Sequence, residues 1–389
     1  MEQSPITKAI RTRTPRTDEM EHSAPVFLTS SFCFDNAEDM RAAFADETDA
    51  NIYSRFSNPT VQEFIDKICV LEGAEDGFAT ASGMSAVFAS FMALMKSGDH
   101  FLSCNAIFGS THTVITKYLP RYGIEYTYVP ADDPSSWEAA IRPNTKMIFL
   151  ETPTNPGIDI IDLETVSRLT KKYNLIFNVD NCFATPVNQR PIDFGADLVV
   201  HSATKWIDGQ GRTLGGIVVG RKDLIHDIYL FCRSTGPALS PFNAWVLSKA
   251  VDTLDVRMER HASNALYLSQ KLEKHPKLSW LKYPFLPSHP RYNVAVKQMK
   301  NGGGLFCFEL KGGLESGRSF LNNLQMLSLT ANLGDTKTIA SHPASTTHAK
   351  LTEAERKAVN ITPGLIRISV GLEDKQDILN DILYALDKC

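Results

Sequence analysis

One lysine of this sequence lies in a setting that few surface lysines share. In the stretch VVHSATKWIDG, Lys205 lies between an apolar run that ends at Val200 and the indole of Trp206, with Ser202 and Thr204 just before it. Withdrawal from water disfavours the charged form of an amine, and a neutral lysine amine is a nucleophile toward carbonyl groups. The stretch therefore predicts that Lys205 forms a Schiff base with a carbonyl cofactor.

Asp180 is the second candidate, because it ends the apolar run LIFNVD. A carboxylate is costly to bury unless a cation lies beside it. The protonated ring nitrogen of pyridoxal phosphate is such a cation, and its protonation makes the ring an electron sink. An aspartate at the end of a strand can equally cap the following turn, and the pattern alone leaves both interpretations open.

A phosphate site is predicted at TASGMSA, where Ser82 and Gly83 lie between a strand and an apolar helix. The first turn of a helix offers unpaired N–H groups and the positive end of the helix dipole, both of which favour a phosphate. A Ser-Gly pair is also a common helix cap with no ligand. The segment is consistent with either role.

Four further residues have both a ligand-binding and a structural interpretation. Phe108 in NAIFGST follows a strand and would either stack on a flat cofactor or belong to the core. Tyr53 and Arg55 in IYSRFSNPT point to one side of an extended segment, which suits a phosphate or carboxylate contact but also a solvated face. Arg367 in LIRISVGLE needs an anion, such as an amino-acid carboxylate, only if it lies on the buried face of its strand.

The elements that must position these residues alternate between helix and strand from about residue 58. Helices are predicted in NPTVQEFIDKICVLEGAE, GMSAVFASFMALMKSG, THTVITKYLPRYG and DLETVSRLTKKYN, and strands in DGFAT, HFLSC, TKMIFLE, LIFNVDN, ADLVVHS and GGIVVG. This alternation predicts a mostly parallel sheet covered by helices on both faces. Glu151, Asp180 and Ser202 end three of the strands, so their side chains are expected to converge.

The regular alternation of helix and strand ends near Pro237. A long helical stretch follows Pro237, and GGLFCFELKGG then reads as a strand of a smaller C-terminal α/β domain. The glycine-rich segment GQGRTLGG precedes a strand instead of opening a helix, so it does not match a dinucleotide-binding loop.

Composition narrows the class of protein. The chain has 389 residues, 43% of them hydrophobic, and a net charge of −4 with no long basic block, which argues against nucleic acid or a membrane surface as partner and favours a small molecule. Its seven cysteines are scattered singly, so neither a metal site nor a disulfide framework is predicted. No signal peptide or membrane span is recognised, and a cytoplasmic location is expected.

Six ordered motifs together resemble one family. The motifs YSRFSNPT, ASGMSA, ETPTNP, VDNCFATP, HSATKWIDGQGRTLGG and RISVGLE are similar to those of the pyridoxal-phosphate enzymes of cysteine and methionine metabolism, and the likeness runs from about residue 27 to the C-terminus. It implies pyridoxal-phosphate fold type I, the aspartate-aminotransferase type, and a homotetramer built as a dimer of dimers. The division implied is an N-terminal arm at 1–57 that reaches the neighbouring subunit, a cofactor domain at 58–250 and a C-terminal domain at 251–389.

The resemblance also implies roles for individual residues. Lys205 would form the Schiff base and shuttle protons, Asp180 would pair with the ring nitrogen, and Phe108 would stack on the ring. The phosphate would be bound by a group drawn from two subunits, namely Ser82, Gly83, Met84, Ser202 and Thr204 with Tyr53 and Arg55 of the neighbour. Cofactor and substrate carboxylate would be held by Asn155 and Arg367, with Asn332 facing the substrate.

Three departures separate branches of this family. Many relatives carry tyrosine where this chain has Phe108, the γ-lyases tend to carry cysteine at Ser110, and the lyase-type loop commonly carries glutamate at Lys337. The chain thus resembles the sulfhydrylase branch, which replaces the succinate of O-succinylhomoserine by sulfide to give homocysteine. Methionine γ-lyase and the cystathionine γ-synthases and γ-lyases share every cofactor residue and stand as the alternative.

Overall fold

Two β-sheets organise the protein. The computed structural model of the chain describes residues 3–131, 133–346, 353, 356 and 361–389. Within them, a seven-stranded sheet is formed by residues 76–220 and a five-stranded sheet by residues 278–369.

The larger sheet carries the predicted strand ends. Its strands are β1 (Asp76–Thr80), β2 (His100–Cys104), β3 (Glu125–Val129), β4 (Thr145–Glu151), β5 (Ile176–Asp180), β6 (Leu198–Ser202) and β7 (Gly216–Gly220), in the order β1-β7-β6-β5-β4-β2-β3. Neighbouring strands are parallel except that β7 is antiparallel to β1 and to β6. The mostly parallel sheet predicted from the sequence is confirmed, although the strand β3 was not predicted.

The smaller sheet supplies a second wall of the site described below. Its strands are β8 (Leu278–Lys282), β9 (Leu305–Leu310), β10 (Ser328–Leu329), β11 (Ile339–Ser341) and β12 (Leu365–Ser369), in the order β10-β11-β12-β9-β8. The pair β10 and β11 is parallel and the other pairs are antiparallel.

Thirteen α-helices have both ends within the described residues. They are α1 (Pro5–Arg11), α2 (Ala37–Phe44), α3 (Pro59–Glu72), α4 (Gly83–Met92), α5 (Gly109–Thr113), α6 (Pro134–Ala139), α7 (Leu163–Tyr173), α8 (Lys222–Thr235), α9 (Pro241–Val251), α10 (Leu254–Leu272), α11 (Tyr292–Gln298), α12 (Gly313–Asn323) and α13 (Lys375–Lys388). None of them is long and apolar enough to cross a membrane.

Helix α3 shows why the sequence pattern was informative. Asn58 caps its N-terminus by accepting a hydrogen bond from the N–H of Thr60, and Gly73 ends it in the left-handed conformation with φ of 75°. Phe64 and Ile68 are fully buried on its inner face. The helix packs against β1, β7 and α9.

One predicted helix was wrong in part. The segment THTVITKYLPRYG does not form one α-helix, because α5 ends at Thr113 and continues as a wider turn at Val114–Tyr118 and a tighter one at Leu119–Tyr122. Pro120 has no N–H to donate to a regular helix, which favours this break. The long helical stretch after Pro237 likewise divides into α9 and α10.

Candidate active site

A cavity of about 280 Å³ lies at the carboxyl ends of β4, β5 and β6. The first turn of α4 and the strands β11 and β12 of the smaller sheet complete its walls. Ten of the predicted site residues line it, namely Ser82, Gly83, Met84, Phe108, Asn155, Asp180, Ser202, Thr204, Lys205 and Arg367. The predicted convergence of strand ends therefore occurs in one small space.

Lys205 lies in the tight turn that follows β6. Its Nζ donates a hydrogen bond of 2.5 Å to Oδ1 of Asn332, which comes from the loop before β11. Burial, with a smaller contribution from the charge of Arg367, lowers the pKa of the Lys205 amine. The lowered pKa favours the neutral form of the amine relative to an exposed lysine, and Asn332 is its hydrogen-bond partner.

Two elements outside the larger sheet fix the backbone around Lys205. The buried guanidinium of Arg257 on α10 donates to the carbonyl oxygens of Trp206 at 2.7 Å and Ile207 at 3.0 Å. On the other side, a Cβ at Gly334 would lie 2.7 Å from the N atom of Trp206, so the loop approaches the turn closely where φ is 74°. The position of the Lys205 amine therefore depends on α10 and on the loop before β11 as well as on the larger sheet.

Two carboxyl groups lie side by side at the strand ends, because Glu151 of β4 pairs in register with Asp180 of β5. Burial raises the pKa of Asp180 to about 6, and the N–H of Cys182, 2.9 Å from its Oδ1, opposes that rise. Burial and the nearby Asp180 also raise the pKa of Glu151, whose Oε2 accepts the N–H of Phe108 at 2.9 Å. A cation placed in the cavity would stabilise the ionised form of Asp180.

The first turn of α4 forms an anion cradle. Ser82 caps the helix by accepting from the N–H of Ser85 at 3.2 Å, and the N–H groups of Gly83 and Met84 precede the first residue that the helix itself can pair. A Cβ at Gly83 would lie 2.5 Å from Cβ of Ser202, so only glycine permits this approach. Gly216 of β7 is equally constrained, since a Cβ there would lie 2.1 Å from the Ser82 carbonyl oxygen.

Phe108 and Thr204 also line the cavity. Phe108 immediately precedes α5, lines the cavity and is 43% exposed, so the ring lies at the mouth of the cavity and not in the core. Thr204 accepts the N–H of Gly215 at 3.2 Å through its hydroxyl oxygen. That bond ties the turn of Lys205 to the glycine-rich segment before β7.

Arg367 enters the cavity from β12 and is 6% exposed. Its Nη1 donates to Oδ1 of Asn155 at 2.8 Å and its Nη2 to the carbonyl oxygen of Asn332 at 3.3 Å, whereas its buried Nε has no hydrogen-bond partner among the described residues. Burial lowers the pKa of Arg367 to about 10, so the guanidinium stays charged at neutral pH. A carboxylate would satisfy both the charge and the unpaired N–H.

Tyr53 and Arg55 do not reach this cavity. Arg55 donates to the carbonyl oxygen of Arg233, and its guanidinium lies 4.8 Å from the ring centroid of Phe56. Tyr53 is 41% exposed. Within one chain the structure therefore leaves these two residues apart from Lys205 and the other predicted site residues.

Sequence reasoning missed several groups that line the cavity. Glu151 was placed at a strand end without a role, and Thr111, Cys182 and Ser341 were not singled out. The hydroxyl of Ser341 is buried without a partner in the described chain. Its strand β11 has three residues, which is too short for a hydrophobic pattern to reveal.

The residues present fit pyridoxal phosphate. Asp180 offers a half-buried carboxyl group with no salt bridge to a cation in the described part of the chain, the α4 turn offers unpaired N–H groups next to the hydroxyl groups of Ser202 and Thr204, and Lys205 offers an amine with a lowered pKa. These are the three functions that the ring nitrogen, phosphate and aldehyde of the cofactor need from a protein.

Comparison with known proteins gives the same result. The model of the family described as Cys/Met metabolism PLP-dependent enzyme matches residues 6–387. The chain is 45% identical to an O-succinylhomoserine sulfhydrylase of Pseudomonas aeruginosa over 98% of this chain and 94% of that protein. It is 42% identical to an L-methionine gamma-lyase of Porphyromonas gingivalis over 94% of this chain and 92% of that protein.

A solved structure agrees in fold and in cofactor. The chain superposes with a TM-score of 0.95 and 34% identity on a protein of Campylobacter jejuni described as an O-acetylhomoserine (thiol)-lyase, over 99% of this chain and all of that one. That structure contains N'-pyridoxyl-lysine-5'-monophosphate. The chain therefore belongs to the family of pyridoxal-phosphate-dependent enzymes of cysteine and methionine metabolism.

Proposed function

We propose that this enzyme is an O-succinylhomoserine sulfhydrylase, which replaces succinate by sulfide to form homocysteine in methionine biosynthesis. Phe108 at the mouth of the cavity is the observation that favours a sulfhydrylase over a lyase of the same family. A phenyl ring covers the cofactor but gives no proton to a leaving group. Succinate leaves as a carboxylate with a conjugate acid of pKa about 4 to 5, so it needs no proton donor, whereas a thiolate with a conjugate acid of pKa about 8.5 gains from one.

Relatives of both kinds bear on this proposal. Sulfhydrylases from Pseudomonas aeruginosa and Mycobacterium tuberculosis are 45% and 40% identical to the chain, and methionine γ-lyases reach 42%. Overall identity therefore favours the sulfhydrylase only slightly. The residues at the cavity and in the adjoining loop, Phe108 and Lys337, weigh more because they depart from the lyase pattern.

Five residues in and beside the cavity would act directly in this reaction. When bound, pyridoxal phosphate withdraws electrons from the substrate and so permits loss of protons from Cα and Cβ. Lys205 would hold the cofactor covalently, and its freed Nζ would move those protons while Asn332 Oδ1 orients it. Asp180 would bind the ring nitrogen. Arg367 with Asn155 would bind the substrate carboxylate, succinate would leave from Cγ, and sulfide would add there.

Phosphate binding would use both the α4 turn and a neighbouring subunit. Ser82, Gly83 and Met84 would bind the phosphate together with Ser202 and Thr204. Tyr53 and Arg55 would reach the site of the neighbour as part of an N-terminal arm, which accounts for their distance from Lys205 within one chain. The assembly would be a cytoplasmic homotetramer of two such dimers.

A substrate panel tests the proposal. Purified enzyme is supplied with O-succinylhomoserine and sulfide, with O-acetylhomoserine and sulfide, with O-succinylhomoserine and cysteine, and with methionine alone, and the products are identified by mass. Homocysteine from the first mixture at the highest kcat/KM supports the proposal. Cystathionine as the main product would contradict the proposal and favour a cystathionine γ-synthase. Methanethiol from methionine at a comparable kcat/KM would contradict it and favour a methionine γ-lyase. The Lys205→Ala variant controls for reactions that need no enzyme.

A further inference from the structure

A second cavity adjoins the candidate active site. It has a volume of about 510 Å³ and is lined by α12 and by the strands β10 and β11 of the smaller sheet. Two residues, Ala331 and Ser341, line both cavities, so the two spaces adjoin at these residues. No residue assigned above to the cofactor lines the second cavity, which leaves it open to another part of the substrate.

Both shared residues lie next to groups assigned to the reaction. Ser341 on β11 is the register partner of Arg367 on β12, so their side chains lie on the same face of the smaller sheet. Ala331 directly precedes Asn332, whose Oδ1 accepts the hydrogen bond from Nζ of Lys205 at 2.5 Å. A substrate whose α-carboxylate is bound by Arg367 therefore lies at the boundary between the two cavities.

This boundary contains a polar group without a partner. Ser341 is 6% exposed, and its hydroxyl has no hydrogen bond within the described ranges. An unpaired buried hydroxyl costs free energy, which a ligand that bonds it recovers. The ester carbonyl of an acylated homoserine is an acceptor that this hydroxyl can bond.

The second cavity also has a positive charge. Arg318 on α12 lines it, and the other described residues around it are uncharged. The Arg318 side chain is 52% exposed and its Nη1 donates to Glu315 at 2.8 Å, whereas its Nε and Nη2 bond no other described residue. A guanidinium with such N–H groups is suited to bind a carboxylate.

Close packing places Arg318 near the boundary. A Cβ at Gly317 would lie 2.4 Å from Cε1 of His342, so the backbone of α12 contacts the residue that follows Ser341. Arg318 is the next residue of the helix, and its Cα is therefore about 3.8 Å from that of Gly317. The cation and the unpaired hydroxyl thus belong to one small region.

O-Succinylhomoserine carries two carboxylates, and the first cavity offers a free cation for one of them. Of the described residues that line it, Lys205 and Arg367 are the cationic ones, and Lys205 is assigned to the cofactor. This cavity, of about 280 Å³, must also contain the cofactor itself. The terminal carboxylate of the succinyl group therefore needs a cation from outside it.

We propose that the second cavity is the subsite for the acyl group, in which Arg318 binds the terminal carboxylate of the succinyl group and the Ser341 hydroxyl binds the ester carbonyl. This inference rests on the proposed function and adds how the enzyme selects the acyl group. An acetyl ester has no terminal carboxylate and gains nothing from Arg318. The subsite therefore favours succinyl over acetyl esters.

The experiment compares the succinyl, acetyl and butyryl esters of homoserine, with sulfide as the nucleophile. The butyryl group keeps the four-carbon chain of succinyl but has a methyl group in place of the carboxylate. For Arg318→Ala, kcat/KM of the succinyl ester should fall about tenfold, mainly through KM, which is the low end for a hydrogen bond to a charged group because the arginine is half-exposed. The acetyl and butyryl values should stay within about twofold of wild type.

Two further variants test the role of the charge. Arg318→Lys keeps the charge without the planar fork and should show a smaller loss than Arg318→Ala; an equal loss would contradict a role for the charge. Arg260→Ala is the matched control, because Arg260 is exposed on α10 and lines neither cavity. It should leave the values for all three esters unchanged.

Ser341→Ala tests the boundary separately. All three esters contain the carbonyl, so their kcat/KM values should fall by a similar factor of about three to ten. The urea midpoint of the unliganded protein should not fall, since the hydroxyl has no partner there to lose. Unchanged kinetics would remove Ser341 from the subsite.

The outcomes separate this inference from the proposed function. An equal loss for all three esters in folded Arg318→Ala, or no loss for the succinyl ester, overturns the inference. If the alanine variant does not fold, Arg318→Gln is measured in its place, and an ester that wild type does not turn over is measured as a competitive inhibitor. Wild-type enzyme that forms no homocysteine from O-succinylhomoserine would contradict the proposed function itself.

Discussion

Replacement of Arg367 by methionine should separate the stability of this protein from its function. The fall in the pKa of Arg367 to about 10 corresponds to about 3 kcal/mol of desolvation cost, which the folded protein bears without a bound carboxylate. Methionine removes that cost and fills a similar volume. Oδ1 of Asn155 and the carbonyl of Asn332 lose their donors, at about 1 kcal/mol each. We expect the cofactor-free variant to be as stable as wild type or about 1 kcal/mol more stable.

The same change should nearly abolish turnover. A carboxylate bound through Nε and one Nη would make two charge-assisted hydrogen bonds of about 1.5 to 3 kcal/mol each, so kcat/KM should fall by about 10² to 10⁴. Arg367→Lys keeps the charge but loses the planar fork, and should give an intermediate loss.

The assays are urea unfolding of the cofactor-free protein and steady-state kinetics of homocysteine formation. A variant destabilised by more than about 2 kcal/mol would show that Arg367 acts mainly as a structural bridge between the sheets. A KM and kcat close to wild type would show that substrate binds elsewhere. Either result would refute the assignment of Arg367 to the carboxylate.

Three more predictions concern Lys205, the shared site and Phe108. Borohydride reduction followed by peptide mapping should place the cofactor on Lys205, and a label on any other lysine would contradict its assignment. Mixing inactive Arg55→Ala chains with inactive Lys205→Ala chains should restore partial activity, because one site of each hybrid dimer regains both residues; verified hybrids that stay inactive would disprove a shared site. Phe108→Tyr should raise methionine elimination relative to sulfide replacement, by up to the 10² to 10⁴ typical of a general acid, and an unchanged ratio of the two kcat/KM values would argue against the proton-donor explanation.

Local patterns were sufficient for most of the larger sheet. Runs such as TKMIFLE and HFLSC became β4 and β2 with the same bounds, because strands covered on both faces are continuously apolar. The strand β3, EYTYV, was missed because it lies at the edge of the sheet and is largely half-exposed, so its polar residues hide the strand pattern. A short run of this kind is recognised as a strand only once the neighbouring strand β2 is known to pair with it.

In the candidate site, too, some features could be predicted from the sequence and others could not. Residues at strand ends and in the first helical turn, such as Asp180 and Gly83, were predictable because the residues next to them in sequence show where the strand ends or the helix begins. Contacts made across the chain were not, since Lys205 and Asn332 are 127 residues apart and Arg367 and Asn155 are 212 apart. Such pairings depend on how the two sheets pack against each other, which a local sequence pattern does not reveal.

The close backbone packing of two glycines at the anion cradle restricts how this enzyme can be re-engineered. Gly83 and Gly216 are held against Ser202 and the Ser82 carbonyl so closely that any larger residue would displace the α4 turn from the sheet. A mutant library for new leaving groups or nucleophiles should keep both glycines fixed. Diversity belongs instead at Phe108 and Leu214, which line the cavity and are 43% and 61% exposed, so the rest of the chain does not enclose them.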